Sequence, residues 1–294
     1  HPGLFAELQI SARLGTSASP GEFDALLAGA LQDCSSEDDF LRSLRLYRHR
    51  ELVRIVWRDL NEGADVTETL RDLSDLADSA INAALRFATD GLRSRYGEPR
   101  TGDGSPCGPG IIAMGKLGGH ELNFSSDVDL IFVYSATGET DGPRVVSNEE
   151  YFRLLAQRLI DYLSRNTADG FVYRVDVRLR PFGSAGPLAV SVSALEGYLV
   201  QHGRDWERYA WIKARVVNDW ADAESLYQDV LRPFVYRRYL DYGVFSSLRD
   251  MKALIERWSD ELDRAEEDDL DAVATAWLLS STNKEVRDLA TKAL

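Results

Sequence analysis

Residues 123–134 read NFSSDVDLIFVY. From Val128 onward the run is apolar, β-branched and aromatic, the pattern of a buried strand. Two carboxylates, Asp127 and Asp129, stand at its mouth. Like charges this close repel, and a low dielectric strengthens the repulsion. Strand side chains alternate, so Asp127, Asp129, Ile131 and Val133 share one face, and Val128, Leu130 and Phe132 share the other. A divalent cation would turn the repulsion into coordination. Taken alone, D-x-D also suits a turn cap followed by a half-exposed acid, so the pair does not decide its own role.

Working outward, IIAM (111–114) reads as a short buried strand, and MGKLGGHELNFSSD (114–127) as the glycine-rich turn joining the two. The turn is not a P-loop, because G-x-x-x-x-G-K-[ST] is absent, and it is not a Rossmann turn. It suits a strand–turn–strand in which backbone N–H groups and Lys116 meet a phosphate. His120 invites a general-base reading, but a histidine in a glycine turn is more often an exposed bystander. A third strand is expected over FVYRVDVRLR (171–180). Alternation puts Tyr173, Val175, Val177 and Leu179 on one face and Arg174, Asp176, Arg178 and Arg180 on the other. The bland reading is the wet face of a half-buried sheet. The sharper reading is a third carboxylate completing a metal site, with arginine forks suited to phosphate. RPFGSAGP follows as another turn. No Ser/His/Asp or Cys/His constellation is evident.

Around these strands the chain reads as helices. Residues 65–97 carry Leu70, Leu73, Ala77, Ala80, Ala84, Phe87 and Leu92 at helical spacing, opened by an Asp65/Glu68 cap pattern and closed by Gly97 and Pro99. The preceding stretch, SEDDFLRSLRLYRHRELVRIVWRDL, is a helix whose arginines read as a solvated face pairing with acidic neighbours. Ser147 with Glu150 caps another helix through Tyr162. Ser193 with Glu196 opens a return to helices over 193–202, 205–217, about 221–240 and 246–264. The fold class is α+β and predominantly helical: a helical region over 1–104, a core over 105–220 and a C-terminal helical region over 221–294.

The chain has 294 residues, 44% hydrophobic and 28% charged, with net charge −14. That supports a full core. An acidic chain repels phosphate backbones, which argues against nucleic acid as the main partner. The apolar runs are far below membrane-spanning length. Two distant cysteines, Cys34 and Cys107, fit a reducing compartment, and a cytoplasmic location is expected. The start HPGLF lacks Met and a signal pattern, so a piece of a longer chain is expected.

Gly115-Lys116, a ten-residue spacer and Asp127-Val128-Asp129-Leu130 resemble the nucleotidyltransferase superfamily pattern, departing from it at Lys116, where Ser or Gly is usual. GKLGGHELNFSSDVDLIFVY, DGFVYRVDVRLRPFGSAGPL and GRDWERYAWIKARVV together resemble the bacterial bifunctional glutamine synthetase adenylyltransferase family, over roughly 40–256. The forms NFSSD, FVYRVD, RLRPFG and GRDWERYAWIKAR are similar to its amino-terminal, AMP-removing domain. After MKALIER (251–257) the chain departs from the family pattern.

The resemblance implies a polymerase-beta-like mixed sheet and phosphorolysis of adenylyl-tyrosine on glutamine synthetase, giving ADP and free tyrosine. It implies Asp127, Asp129 and Asp176 as ligands for Mg²⁺, two ions in number. Gly115, Lys116, Ser126, Arg178 and Arg180 are expected to meet the nucleotide and phosphate, Lys116 and the two arginines by charge and face. ATP or ADP and phosphate are the implied small substrates. Glutamine synthetase and the PII signalling protein are the implied partners, with no membrane or nucleic acid. Forward adenylylation from ATP, another acceptor, and a non-catalytic interaction module stay open as alternatives.

Overall fold

The computed structural model describes residues 13–61 and 63–236, together with Arg249 and Ala253. The chain divides into two compact units, 1–237 and 238–294, and every element below belongs to the first. Three helices open it: α1 (Glu22–Leu31), α2 (Glu37–Leu60) and α3 (Val66–Tyr96). The Asp65 side chain accepts from the backbone N–H of Glu68 at 2.7 Å, and Gly97 ends the helix at φ 77°. A cap of this kind is worth about 1 kcal/mol. The helical repeat buries Leu73, Leu76, Ala77, Ala80, Ala84, Ala88 and Leu92, while Phe87 stacks on Phe40 at 4.1 Å.

The arginines of α2 are only partly a solvated face, with Arg42 exposed and others withdrawn from solvent. Arg45, Arg54 and Arg58 are buried. Arg54 pairs with Glu51 at 3.0 Å and Asp72 at 3.3 Å, and Arg58 pairs with Glu68. Arg45 donates to the carbonyls of Gly170, Leu41, Tyr162 and Arg165. It thereby ties α2 to the loop that leads toward Asp176.

A two-stranded ribbon joins β1 (Pro99–Thr101) to β4 (Gly138–Thr140). The main sheet contains β2 (Pro109–Ala113), β3 (Val128–Tyr134), β5 (Val175–Asp176), β6 (Ala189–Ser191) and β7 (Arg215–Val216). Strand β3 is its spine. On one side it pairs antiparallel with β2, which pairs antiparallel with β7. On the other side β5 runs parallel to its start and β6 parallel to its end. The alternation expected of β3 is observed. Val128, Leu130, Phe132 and Tyr134 join a core with α3 and α5 (Asn148–Ser164). Ile131 and Val133 join a second core with α6 (Val192–Gln201), α7 (Asp205–Trp211) and the turns from Leu226 to Phe234.

Several expectations are corrected. The third strand is ordered as strand only at Val175–Asp176, not over 171–180. Upstream, the N–H groups of Val172 and Tyr173 both bond the Leu163 carbonyl at the end of α5; downstream, Arg180 and Gly183 enter turns. Helix α6 is capped by Ser191, which accepts from Ala194 N–H at 3.2 Å, and not by Ser193. The helix expected over 205–217 stops at Trp211, and residues 215–216 become a strand. The glycine turn holds one helical turn, α4 (Gly115–Gly118). The stretch expected as one helix over 221–240 is Ala223–Ser225, a π-helical Leu226–Leu231 and Arg232–Val235. The expected helix beyond Tyr236, the 246–264 helix apart from Arg249 and Ala253, and the tail lie outside the described residues.

Candidate active site

Strand β5 places Asp176 directly beside Asp129 in parallel register. Registered neighbours in a sheet point to one side. That side is the one on which Ile131 and Val133 meet the second core. Asp127 precedes the strand by one residue and is exposed. Its Oδ1 accepts from Arg174 Nε at 2.6 Å, and the Arg174 carbonyl accepts from Val128 N–H at 2.9 Å. Ser126 sits on the Asn123–Ser126 turn, with its hydroxyl on the Asn123 side-chain oxygen.

The glycine turn approaches from the β2 side. Met114 N–H donates to the Asp129 carbonyl at 2.9 Å. Gly115 follows at φ 56°, and a Cβ there would lie 2.7 Å from Asp129 Oδ2. Glycine is therefore required twice, for the left-handed backbone and for the carboxylate beside it. Lys116 is exposed on α4.

The carboxylates have different surroundings. Burial pushes Asp129 up; the charges of Asp176 and Asp127 add to this, while Arg178 and Lys116 oppose it. Asp129 has no ion-pair partner within 4 Å among the described residues. Asp176 is pushed up by burial but held down overall by Arg178. Arg178 N–H and Nε donate to its two oxygens at 2.8 and 2.7 Å, and Nη2 also bonds Oδ2. Arg180 faces its own loop, donating to the carbonyls of Gly186 at 3.3 Å, Val177 at 2.8 Å and Ser184 at 3.1 Å.

The structure thus brings Gly115, Asp129, Asp176 and Arg178 together, with Lys116 and Asp127 at the rim; Arg180 braces the following loop and Ser126 the preceding turn. The donor set fits a hard cation: carboxylate oxygens on one face and Asp129 without a guanidinium of its own. The three aspartates are not drawn into a closed cluster.

A tighter group lies behind the turn. Asp75, Asp78 and His120 bring one potential ligand atom each to within 4.8 Å of one another. His120 has φ 54° and its Nδ1 is 3.9 Å from Asp75 Oδ1. Both Asp78 oxygens accept from Arg215, at 2.8 and 3.0 Å, and Arg215 also donates to the Leu117 carbonyl at 3.1 Å. This group anchors α4 between α3 and β7. Sequence reading missed it; the available signal was the three-residue spacing of Asp72, Asp75 and Asp78 along one helix.

No helix among the described residues is long and apolar enough to cross a membrane. A model of the family described as glutamate-ammonia ligase adenylyltransferase matches residues 1–232. Relatives named bifunctional glutamine synthetase adenylyltransferase/adenylyl-removing enzyme are similar to most of the chain. The one from Thioalkalivibrio sulfidiphilus is 52% identical over 256 residues, covering 87% of this chain and 26% of the relative. Those from Shewanella woodyi and Pseudomonas putida are 49% and 48% identical, over 81% and 87% of this chain and 25% and 26% of theirs. The chain spans about a quarter of the length of these curated relatives.

Proposed function

This chain belongs to the glutamate-ammonia ligase adenylyltransferase family, and we propose that it removes AMP from a tyrosine of glutamine synthetase by phosphorolysis. An oxygen of inorganic phosphate forms a bond to the α-phosphorus of adenylyl-tyrosine. The bond from that phosphorus to the tyrosyl oxygen breaks, so that ADP and free tyrosine leave. The observation that carries this reading is the registered Asp129–Asp176 pair beside Gly115. Support for removal over addition comes from the likeness of NFSSD, FVYRVD and RLRPFG to the amino-terminal domain of the family, and from relatives whose name includes adenylyl removal.

The mixed sheet is read as a nucleotidyltransferase core over 105–220. Asp127, Asp129 and Asp176 would hold Mg²⁺. When bound, it neutralises charge on the phosphoryl oxygens. The protein's own part is positioning and electrostatics, which dominate phosphoryl transfer. Gly115 lets the turn approach the substrate. Lys116 and the exposed Arg178 orient phosphate oxygens. Arg178 is already fixed by Asp176, so little ordering remains when phosphate arrives. Ser126 shapes the Asp127 turn, and Arg180 shapes the loop after Asp176. Phosphate is itself a competent nucleophile, and no strong general base is invoked. A cytoplasmic location and control by the PII signalling protein belong to the same proposal.

The test is the 294-residue chain incubated with adenylylated glutamine synthetase, phosphate and Mg²⁺. ADP formation supports the reading. Pyrophosphate release from ATP with unmodified glutamine synthetase, without ADP formation in the first assay, would replace it with forward adenylylation.

A further inference from the structure

Past Asp176 the chain leaves the sheet at Val177 and rejoins it at Ala189. The loop between them is wound on the Arg180 guanidinium, which holds the carbonyls of Val177, Ser184 and Gly186. At its tip stands Phe182, at φ 62°. A bulky residue with positive φ is a backbone outlier, and strain of this kind gathers at ligand sites. Phe182 is also 55% exposed, so burial of its ring does not explain the strained position.

The ring is not loose. It meets Tyr198 edge-to-face at 4.7 Å and His202 at 5.3 Å. Tyr198 is fixed in turn, its hydroxyl donating to the buried Glu207 at 2.6 Å. The result is a braced aromatic corner with an open side. Tyr198 and Leu179 pack against the second core, which also receives Ile131 and Val133. The corner therefore lies on the carboxylate side of the sheet. The loop also folds back toward the arginine: a methyl on Gly183 would lie 3.7 Å from the Arg178 carbonyl.

We infer that Phe182, braced by Tyr198 and His202, is a stacking platform for the nucleobase of the adenylyl group. This rests on the phosphorolysis reading above and names a subsite for it. Two chemistries lie along one side of the sheet: cationic Lys116 and Arg178 beside the aspartates for an anionic phosphate, and an exposed aromatic corner after them for a flat ring. A nucleotide carries both. Base–aromatic stacking accepts any π-face, so the platform supplies affinity for the base while the polar selection lies elsewhere.

The experiment measures calorimetric binding of ADP and of pyrophosphate, a base-free counterpart, to the 294-residue chain with Mg²⁺. Phe182→Gly and Phe182→Tyr are compared with the unaltered chain, and circular dichroism reports the fold. Glycine suits φ 62°, so Phe182→Gly is expected to fold at least as well. The expected result is ADP binding weakened about tenfold or more in Phe182→Gly, within about twofold of the unaltered chain in Phe182→Tyr, and pyrophosphate binding unchanged in both. Equal ADP binding by Phe182→Gly and the unaltered chain overturns the platform and leaves the phosphorolysis reading standing. Equal loss of ADP and pyrophosphate binding overturns it too, since the ring would then be supporting the phosphate site. Unchanged ADP binding with lost affinity for glutamine synthetase would make the corner a protein contact. If the unaltered chain binds neither ligand, the phosphorolysis reading fails and the platform fails with it.

Discussion

Asp129 and Asp176 stand side by side in parallel register, yet their environments oppose each other. Burial and neighbouring acids push Asp129 up; Arg178 holds Asp176 down despite its burial. One carboxylate is already paired and the other lacks a cationic partner within ion-pair distance among the described residues. That asymmetry leaves negative charge where a cation and a phosphoryl group would meet.

Gly115 should tolerate no side chain. Gly115→Ala meets two costs, a left-handed backbone worth about 1–2 kcal/mol and a Cβ 2.7 Å from Asp129 Oδ2. The expected outcome is a lower urea midpoint together with loss of turnover. Unchanged turnover in a folded Gly115→Ala chain would show that the close approach to Asp129 is not needed.

The anchor behind the turn should behave as a coupled pair. Arg215 and Asp78 share two hydrogen bonds, with 23% and 18% of their side chains exposed. Asp78→Leu or Arg215→Leu alone should each cost about 1.5–3 kcal/mol, because each strands a charged partner. The double variant should cost less than the sum of the two. Strict additivity in urea denaturation would mean that the pair does not couple α3 to β7.

Acid should unfold the N-terminal helices partly through Glu22. Its carboxyl is held down at about 2 by the Ser19 N–H, against a burial effect in the other direction, and further by Arg13. A depressed carboxylate stabilises the fold fully above its ordinary value of 4.5, and that stabilisation is lost as pH falls from there toward about 2. Glu22→Gln should flatten the stability profile in this window. Parallel profiles for the two chains would remove Glu22 as a contributor.

Most local signals in the sequence are legible, the cap of α6 at Ser191 rather than Ser193 being an exception, and remote ones are not. The caps at Asp65 and Ser147 and the alternation of β3 act within a few residues, so pattern sufficed. Alternation gives the face of Asp129 within its own strand; that Asp176 shares that side comes from the register of β3 and β5, which the sequence does not carry. The short β5 could not be foreseen, because its ends are set by the Leu163 carbonyl at one side and turns at Arg180 and Gly183 at the other. Local pattern reads 215–216 as helix, because the partners that make it a strand, β2 and the Asp78 carboxylate, are remote in sequence. The arginines shared a face in the sequence but divide in space: Arg174 holds Asp127, Arg178 holds Asp176, and Arg180 holds its own loop. Only the fold distinguishes these tasks.

The most direct test compares the unaltered chain with Asp129→Asn, measuring ADP formed from adenylylated glutamine synthetase with phosphate and Mg²⁺. The substitution keeps shape and removes a carboxylate that burial already disfavours, so the melting temperature should hold or rise. The account predicts ADP formation by the unaltered chain and a loss of about a hundredfold or more in the variant. No ADP from the unaltered chain, or equal ADP from both, would contradict it.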